Sequence, residues 1–491
     1  MRRERDVRVS GVLRVGLVVL AVFAAAWACA ILWWRSSGAA PGGAAMFGWL
    51  VLVPLAVLFT FWVAVKMRRR AKAGADAEPS VETPLAQGEP LAAMPPLGVL
   101  AQAINLPCGD DPTLLSARLT ELPRPGLHPG LRDRDGLPVL AAFCEQLDTG
   151  LIEDQLRSGS DRRPPVEHLR ALALLEPVAM DLFEAAQRLL PPLPDVEERV
   201  VAGLRRRVES EPRSSGSVHV LAMLPQDMTS TLRDASAGWL RGLAADAGLD
   251  PRRSTFEVVA VADAAAVWER VRSLSAEQPQ GSADWHLLLG AASLIGERGV
   301  QGLATGGALA SGRNVEGVVP GEGAAGVLLR PADTALPHDS GETGIELLAL
   351  QRLAAAQGTT PRQAAAATGR LLEQLLASAT VSAESVALVL TDADQRPSRS
   401  VEAAVAAANA CPELDPVAQC PALGNASGHL GHVGPLALLA LAAAAAHEAA
   451  APVLALSVEP THMRYAALLG SAAVTDESLS SAAGPAPDLA A

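Results

Sequence analysis

Between residues 217 and 458, short apolar runs of strand character alternate with segments of helical periodicity. An alternation of that kind restricts the chain to a layered α/β sheet. Residues 218–224, 256–262, 285–289, 385–390 and 453–458 read as strands, and 317–329 contains another. Between them, 227–247 reads as a helix stopped by Gly248, and Asp263 caps a second one in which Val267, Val271 and Leu274 share a face. Residues 345–357, 361–378 and 436–450 read as further helices, the last rich in alanine.

Composition supports the same class. The chain has 491 residues, enough for two or three domains with a large core. Aromatics are only 3 %, so the core is built from small aliphatic side chains that let helices and sheets approach closely. The formal charge of −13 is unevenly spread. Residues 1–72 hold eleven Lys and Arg against Glu4 and Asp6, which leaves 29 basic and 51 acidic residues beyond them. That acidic remainder repels phosphates and argues against a nucleic-acid partner.

The N-terminus reads as a transmembrane hairpin, residues 1–72. Residues 15–34 and 46–65 are two uncharged apolar runs of 20 residues, each long enough to cross a hydrocarbon core of about 30 Å. Trp27, Trp33 and Trp34 do not make the small-residue site at which a signal peptide is cut. Arg2, Arg3, Arg5, Arg8 and Arg14 precede the first run, and Lys66, Arg68, Arg69, Arg70 and Lys72 follow the second. Both ends are therefore expected in the cytoplasm. Cys29 falls within the first run, and Cys108, Cys144, Cys411 and Cys420 form no paired framework, which suits reduced thiols. Cys411, Cys420, His429 and His432 match no common zinc spacing, and no metal or cofactor is expected.

Residues 73–96 read as a Pro- and Ala-rich linker. Residues 97–216 read as a mostly helical segment, with 97–106 of helical type, a long helix over 165–190 containing Pro177, and a charged helix over 196–208. The layered domain is expected over 217–470, and 471–491 as a flexible tail.

Three places in that domain carry a resemblance. The segment Gly317-Val-Val-Pro-Gly-Glu-Gly-Ala-Ala-Gly326, with Pro320, Gly321, Glu322 and Gly323 at its centre, looks like the Pro-Gly-Glu-Gly-Ala signature of β-ketoacyl synthases. The run Gly428-His-Leu-Gly-His-Val-Gly434, with Gly428, Gly431 and Gly434, resembles that family's histidine loop, one residue shorter. Residues 285–293 resemble its strand ending in Gly-Gly-x-x-Ser. The order of the three implies a thiolase-like fold. In the family the first segment is a glycine-rich turn entering a central buried strand, where missing side chains let layers pack closely.

The chemistry of the family is not matched. Condensation needs a thiolate to take the acyl chain and polar groups to polarise a thioester carbonyl. The resemblance puts the thiol near Val261-Ala-Asp-Ala264 and the first histidine near Thr391-Asp-Ala-Asp394, and neither residue type is there. The lysine before the second histidine is missing around 423–425, and Glu459-Pro-Thr-His462 replaces a glycine-rich loop. His429 alone remains, either as a catalytic remnant or as a hydrogen-bonded histidine at a helix start. Asp392, Asp394, Arg396, Arg399 and Glu402 form a charged cluster after an apolar strand, read as an ion- or partner-binding site or as a solvated loop with local pairs.

Two functions follow. One is a non-catalytic protein that binds another protein while anchored in a bacterial inner membrane. The anchor, Gly130-Leu-Arg-Asp-Arg-Asp-Gly-Leu-Pro138 and Thr391-Asp-Ala-Asp-Gln-Arg396 look similar to adaptors that load lipase effectors onto type VI secretion spikes. That resemblance implies a lipase effector and a spike protein as partners. The other is an acyl-processing enzyme of the synthase superfamily with altered catalytic residues. The synthase resemblance also implies a homodimer.

Overall fold

The computed structural model describes residues 95–156, 163–190, 196–201, 204–209, 216–277, 284–332, 344–355 and 359–471, together with 27, 28, 32, 33, 35 and 36. The chain divides into two units, Met1–Pro90 and Leu91–Ala491. In the first, Trp27, Ala28, Leu32, Trp33, Arg35 and Ser36 are helical. The rest of the expected membrane hairpin, the 73–94 part of the linker and the 472–491 tail lie outside the described residues.

The second unit is organised by one mixed sheet. Its strands, with two separate hairpins, are β1 (Leu97–Asn105), β2 (Gly126–Arg132), β3 (Pro138–Ala141), β4 (Val196–Val201), β5 (Leu204–Glu209), β6 (Val218–Pro225), β7 (Ser254–Val261), β8 (Trp285–Ser293), β9 (Glu322–Pro331), β10 (Ile345–Ala354), β11 (Leu388–Thr391), β12 (Val453–Ser457) and β13 (Met463–Ser471). The sheet order is β11-β12-β13-β10-β1-β9-β8-β6-β7. It is an internal duplication. In one half β7, β6 and β8 run parallel, β9 is antiparallel to β8 and β1 antiparallel to β9. In the other, β11 and β12 run parallel, β13 is antiparallel to β12 and β10 antiparallel to β13. The halves meet where β1 pairs with β10, and the register of each of those strands slips once, between Val99 and Ala101 and between Leu347 and Ala349. The second half has an irregular third strand: Val389 and Thr391 donate to the carbonyls of Gln419 and Pro421 at 3.0 and 3.1 Å.

Ten α-helices are described: α1 (Pro112–Arg118), α2 (Gly150–Leu156), α3 (Val166–Leu189), α4 (Ser230–Asp246), α5 (Ala264–Glu277), α6 (Glu297–Thr305), α7 (Pro361–Ser378), α8 (Pro397–Ala410), α9 (Gly424–Ser427) and α10 (Gly434–Ala449). Strand alternation assigns them to layers. Val220, Ala222 and Leu224 of β6 face a core with α3 and α4, whereas Leu221 and Met223 face one with α5 and α10. In the other half Leu454 and Leu456 pack with α7 and α8, and Val453 and Ala455 with α10. Helices α5 and α10 thus form a middle layer that both halves share. Helix α10 is apolar nearly all round because it is buried nearly all round. The 431–449 segment is long and apolar enough to cross a membrane but is 83 % buried inside the protein.

Three expectations for local structure are corrected. Where helices were expected over 97–106 and 345–357, residues 97–105 and 345–354 form strands β1 and β10, because each is paired on both sides in the middle of the sheet and pairing overrides the helical preference of Leu, Ala and Gln. Residues 196–201 and 204–209 form the antiparallel strands β4 and β5, not a helix, and Glu198 stands opposite Arg207 in their register. Strand β1, from the segment before residue 217, lies at the centre of the sheet, in the same compact unit as the strands that follow.

Candidate functional site

The glycine-rich segment places a loop against a loop. A Cβ on Gly321 would lie 2.4 Å from the Ser427 carbonyl oxygen, and one on Gly323 would lie 2.5 Å from Leu106 Cδ2. Only a bare backbone lets Pro320 bridge to His429, whose N–H donates to the Val319 carbonyl at 2.9 Å. Gly428 has φ +64 and sits 3.0 Å, measured from a Cβ position, from that same carbonyl. Gly317 likewise abuts the Ala310 backbone, and Gly431 and Gly434 lead into α10.

Glu322 is completely buried beneath this contact. It accepts from Arg170 Nε at 2.8 Å and Nη2 at 2.5 Å, from Ser293 Oγ at 2.8 Å and from the Cys144 N–H at 2.8 Å. Every lone pair has a donor, which is what a buried carboxylate requires. The pair ties α3 to β9 and fixes where the glycine-rich turn begins.

The charged cluster of residues 392–402 separates into two groups. Glu402 accepts from Arg464 Nε at 2.5 Å and Nη2 at 3.0 Å and from Thr368 Oγ1 at 2.9 Å, with Arg399 Nη1 at 3.6 Å. This group holds α7, α8 and β13 together. The other group gathers around His429. Asp394 is paired with Arg396, whose Nε reaches its two oxygens at 2.8 and 2.9 Å. Asp392 accepts from Ser457 Oγ at 2.5 Å and from the N–H groups of Val458 and Glu459 at 2.7 and 3.1 Å. Burial, with the Glu459 carboxylate beside it, pushes the Asp392 carboxyl up to about 7. Glu459 Oε1 lies 3.2 Å from His429 Nδ1 and 4.0 Å from Arg396 Nη2.

These side chains leave little space. Asp392, Asp394, Glu459, Ser427 and His429 line a cavity of about 10 Å³, about one water molecule. The thiol position of the resembled family falls at the entry to α5, where Asp263 accepts from the Ala266 N–H at 3.0 Å and caps the helix. His432 points elsewhere: it is buried, bonded to the Ala291 carbonyl at 3.0 Å, and lowered by burial to about 4, so it stays neutral. Among the described residues no group of His, Cys, Asp or Glu could hold a metal ion. An apolar groove of about 250 Å³ between α1, β11 and α10 shares no lining residue with the His429 cavity.

Glu459, Ser457 and Arg464 carry no motif in the sequence that marks them for this site. They come from strand ends far along the chain from Asp392 and Glu402, and no local pattern links them.

No protein-family model and no curated protein matches the sequence. Solved structures do. The ketosynthase AntDE, from a type II polyketide synthase complex with its acyl-carrier protein AntF, aligns with a TM-score of 0.50 at 12 % identity over 77 % of this chain and 100 % of its own. The ishigamide ketosynthase/chain length factor aligns at 0.48 and 17 % over 77 % and 99 %. A β-ketoacyl synthase from Burkholderia phymatum STM815 aligns at 0.48 and 15 % over 77 % and 100 %. The chain has the layered α/β ketosynthase fold of the thiolase-like type. At such identities the likeness is one of fold alone.

Proposed function

We propose that the chain is a non-catalytic binding protein on a β-ketoacyl-synthase-like scaffold. The observation that carries this reading is the pocket around His429, which Asp392, Asp394 and Glu459 fill to about 10 Å³. A condensing enzyme needs a nucleophile and room for an acyl thioester in that place. Asp263 caps α5 where the resemblance puts the thiol. The two N-terminal apolar runs and their basic flanks support an anchor in a bacterial inner membrane with the folded part in the cytoplasm.

In its more specific form the protein is an adaptor that presents a lipase effector to a type VI secretion spike, as a homodimer. Its support is the two short segments similar to such adaptors. The Asp133 carboxylate accepts from the Asp135 and Leu137 N–H groups at the turn between β2 and β3, and Leu127, Leu137 and Leu140 of that hairpin are exposed. Asp392 and Asp394 of the other segment are buried. The β2–β3 hairpin is therefore the segment open to a partner. Co-purification of the full chain with effector and spike tests this form, and loss of capture in Leu137→Asp is expected. Failure of the wild type to retain either protein removes it.

The second reading, an acyl-processing enzyme, draws support from one observation, the retention of His429 at the cavity. The full chain incubated with acyl and malonyl thioesters of a carrier protein is expected to be inert. Condensed or decarboxylated product that disappears in His429→Ala would overturn the non-catalytic reading.

A further inference from the structure

Two buried nitrogens at the cavity have no hydrogen-bond partner, Arg396 Nη2 and His429 Nδ1. Both face one oxygen, Glu459 Oε1, at 4.0 and 3.2 Å, and neither contact has the alignment of a hydrogen bond. Arg396 spends its Nε on Asp394, and its Nη2 is left buried without a hydrogen bond. The Glu459 carboxylate is also an uncomfortable neighbour for Asp392, a like charge in a closed space. Its backbone, by contrast, is fixed: the Glu459 N–H donates to Asp392 Oδ1 at 3.1 Å, and the next carbonyl, of Pro460, accepts from Arg464 Nη1 at 2.6 Å. The side chain can therefore turn out toward solvent while the loop stays in place.

We propose that the Glu459 side chain is a displaceable internal plug, and that the site beneath it takes a free carboxylate anion of two or three carbons. Turning the side chain out vacates the space of Cγ, Cδ and two oxygens, the heavy atoms of acetate. The adjoining 10 Å³ adds room for about one more small group. The anion replaces the plug charge for charge, and can align its two oxygens with Arg396 Nη2 and His429 Nδ1, which the tethered carboxylate cannot. This inference does not depend on the binding-protein reading, since it concerns only what the cavity can hold.

The test is the melting temperature of the full chain in detergent, titrated with sodium acetate against sodium chloride at equal ionic strength. Glu459→Ala is expected to show a saturable rise with acetate and with propionate, half-maximal at a concentration at least about tenfold below that for wild type. Hexanoate, too long for the space, is expected to behave as chloride does. The response should vanish in Glu459→Ala combined with His429→Ala. Glu459→Gln keeps the shape of the plug without its charge, so it serves if the alanine variant does not fold, and it too should prefer acetate to chloride. An acetate response equal to that of wild type, one that survives loss of His429, or no preference in the glutamine variant would overturn the proposal.

Discussion

Arg170 on α3 and Glu322 on β9 form an ion pair at 2.5 Å in which the carboxylate has no exposure to solvent. The pair is 152 residues apart in sequence and joins an outer helix to the strand that carries the glycine-rich turn. Removing the guanidinium leaves a buried charge without a partner, a loss of about 3–5 kcal/mol. Arg170→Met should therefore lower the melting temperature strongly. Arg170→Met with Glu322→Gln should recover part of it, because the uncompensated charge is gone. A melt unchanged in the single variant would contradict the packing described.

Gly323 cannot be enlarged without moving its neighbours. Its Cβ would meet Leu106 Cδ2 at 2.5 Å and Leu430 Cδ2 at 3.3 Å, both in the core. Overpacking of this kind costs about 1–3 kcal/mol, and Gly323→Val is expected to shift the melting temperature down by several degrees. Differential scanning calorimetry of the full chain measures it, with Gly302→Ala as the comparison: nothing lies within 4 Å there and the residue sits in α6, so that change should leave the melt unchanged or raise it slightly.

Asp392 makes stability depend on pH. Its folded carboxyl is raised from 3.8 to about 7 by burial and by Glu459, so the folded state holds that proton more tightly than the unfolded state. The contribution is fully present below about pH 4 and is lost as pH rises toward and through about 7. Asp392→Asn removes the titration while Oδ1 still accepts from the Val458 and Glu459 N–H groups. The difference in melting temperature, variant minus wild type, should grow by several degrees between about pH 5 and pH 8. A flat difference would show that the carboxyl does not titrate in this window.

The basic flanks of the two N-terminal apolar runs predict a topology. A reporter active only outside the cytoplasm should be silent when fused after Ala77 and active when inserted near Gly42. The reversed pattern would move the folded part to the other side of the membrane.

The amino-acid sequence carries the fold class. Apolar runs in β6, β8 and β12, the glycine-rich entry to β9 and the mostly apolar α10 are local patterns, and each follows from how much of an element is buried. It did not determine β1, β10 or the hairpin β4–β5, whose Leu, Ala, Glu and Arg content favours helix until neighbouring strands supply hydrogen-bond partners. At the candidate site the sequence showed His429 and the acidic run after β11, and no cysteine at residues 261–264. Long-range packing is what brings Glu402 to Arg464, holds Asp392 with residues 457–459, and sets Glu459 between His429 and Arg396. Those partners sit at the ends of separate strands, and a long-range pairing of charges leaves no periodicity or spacing in the chain from which it could be read.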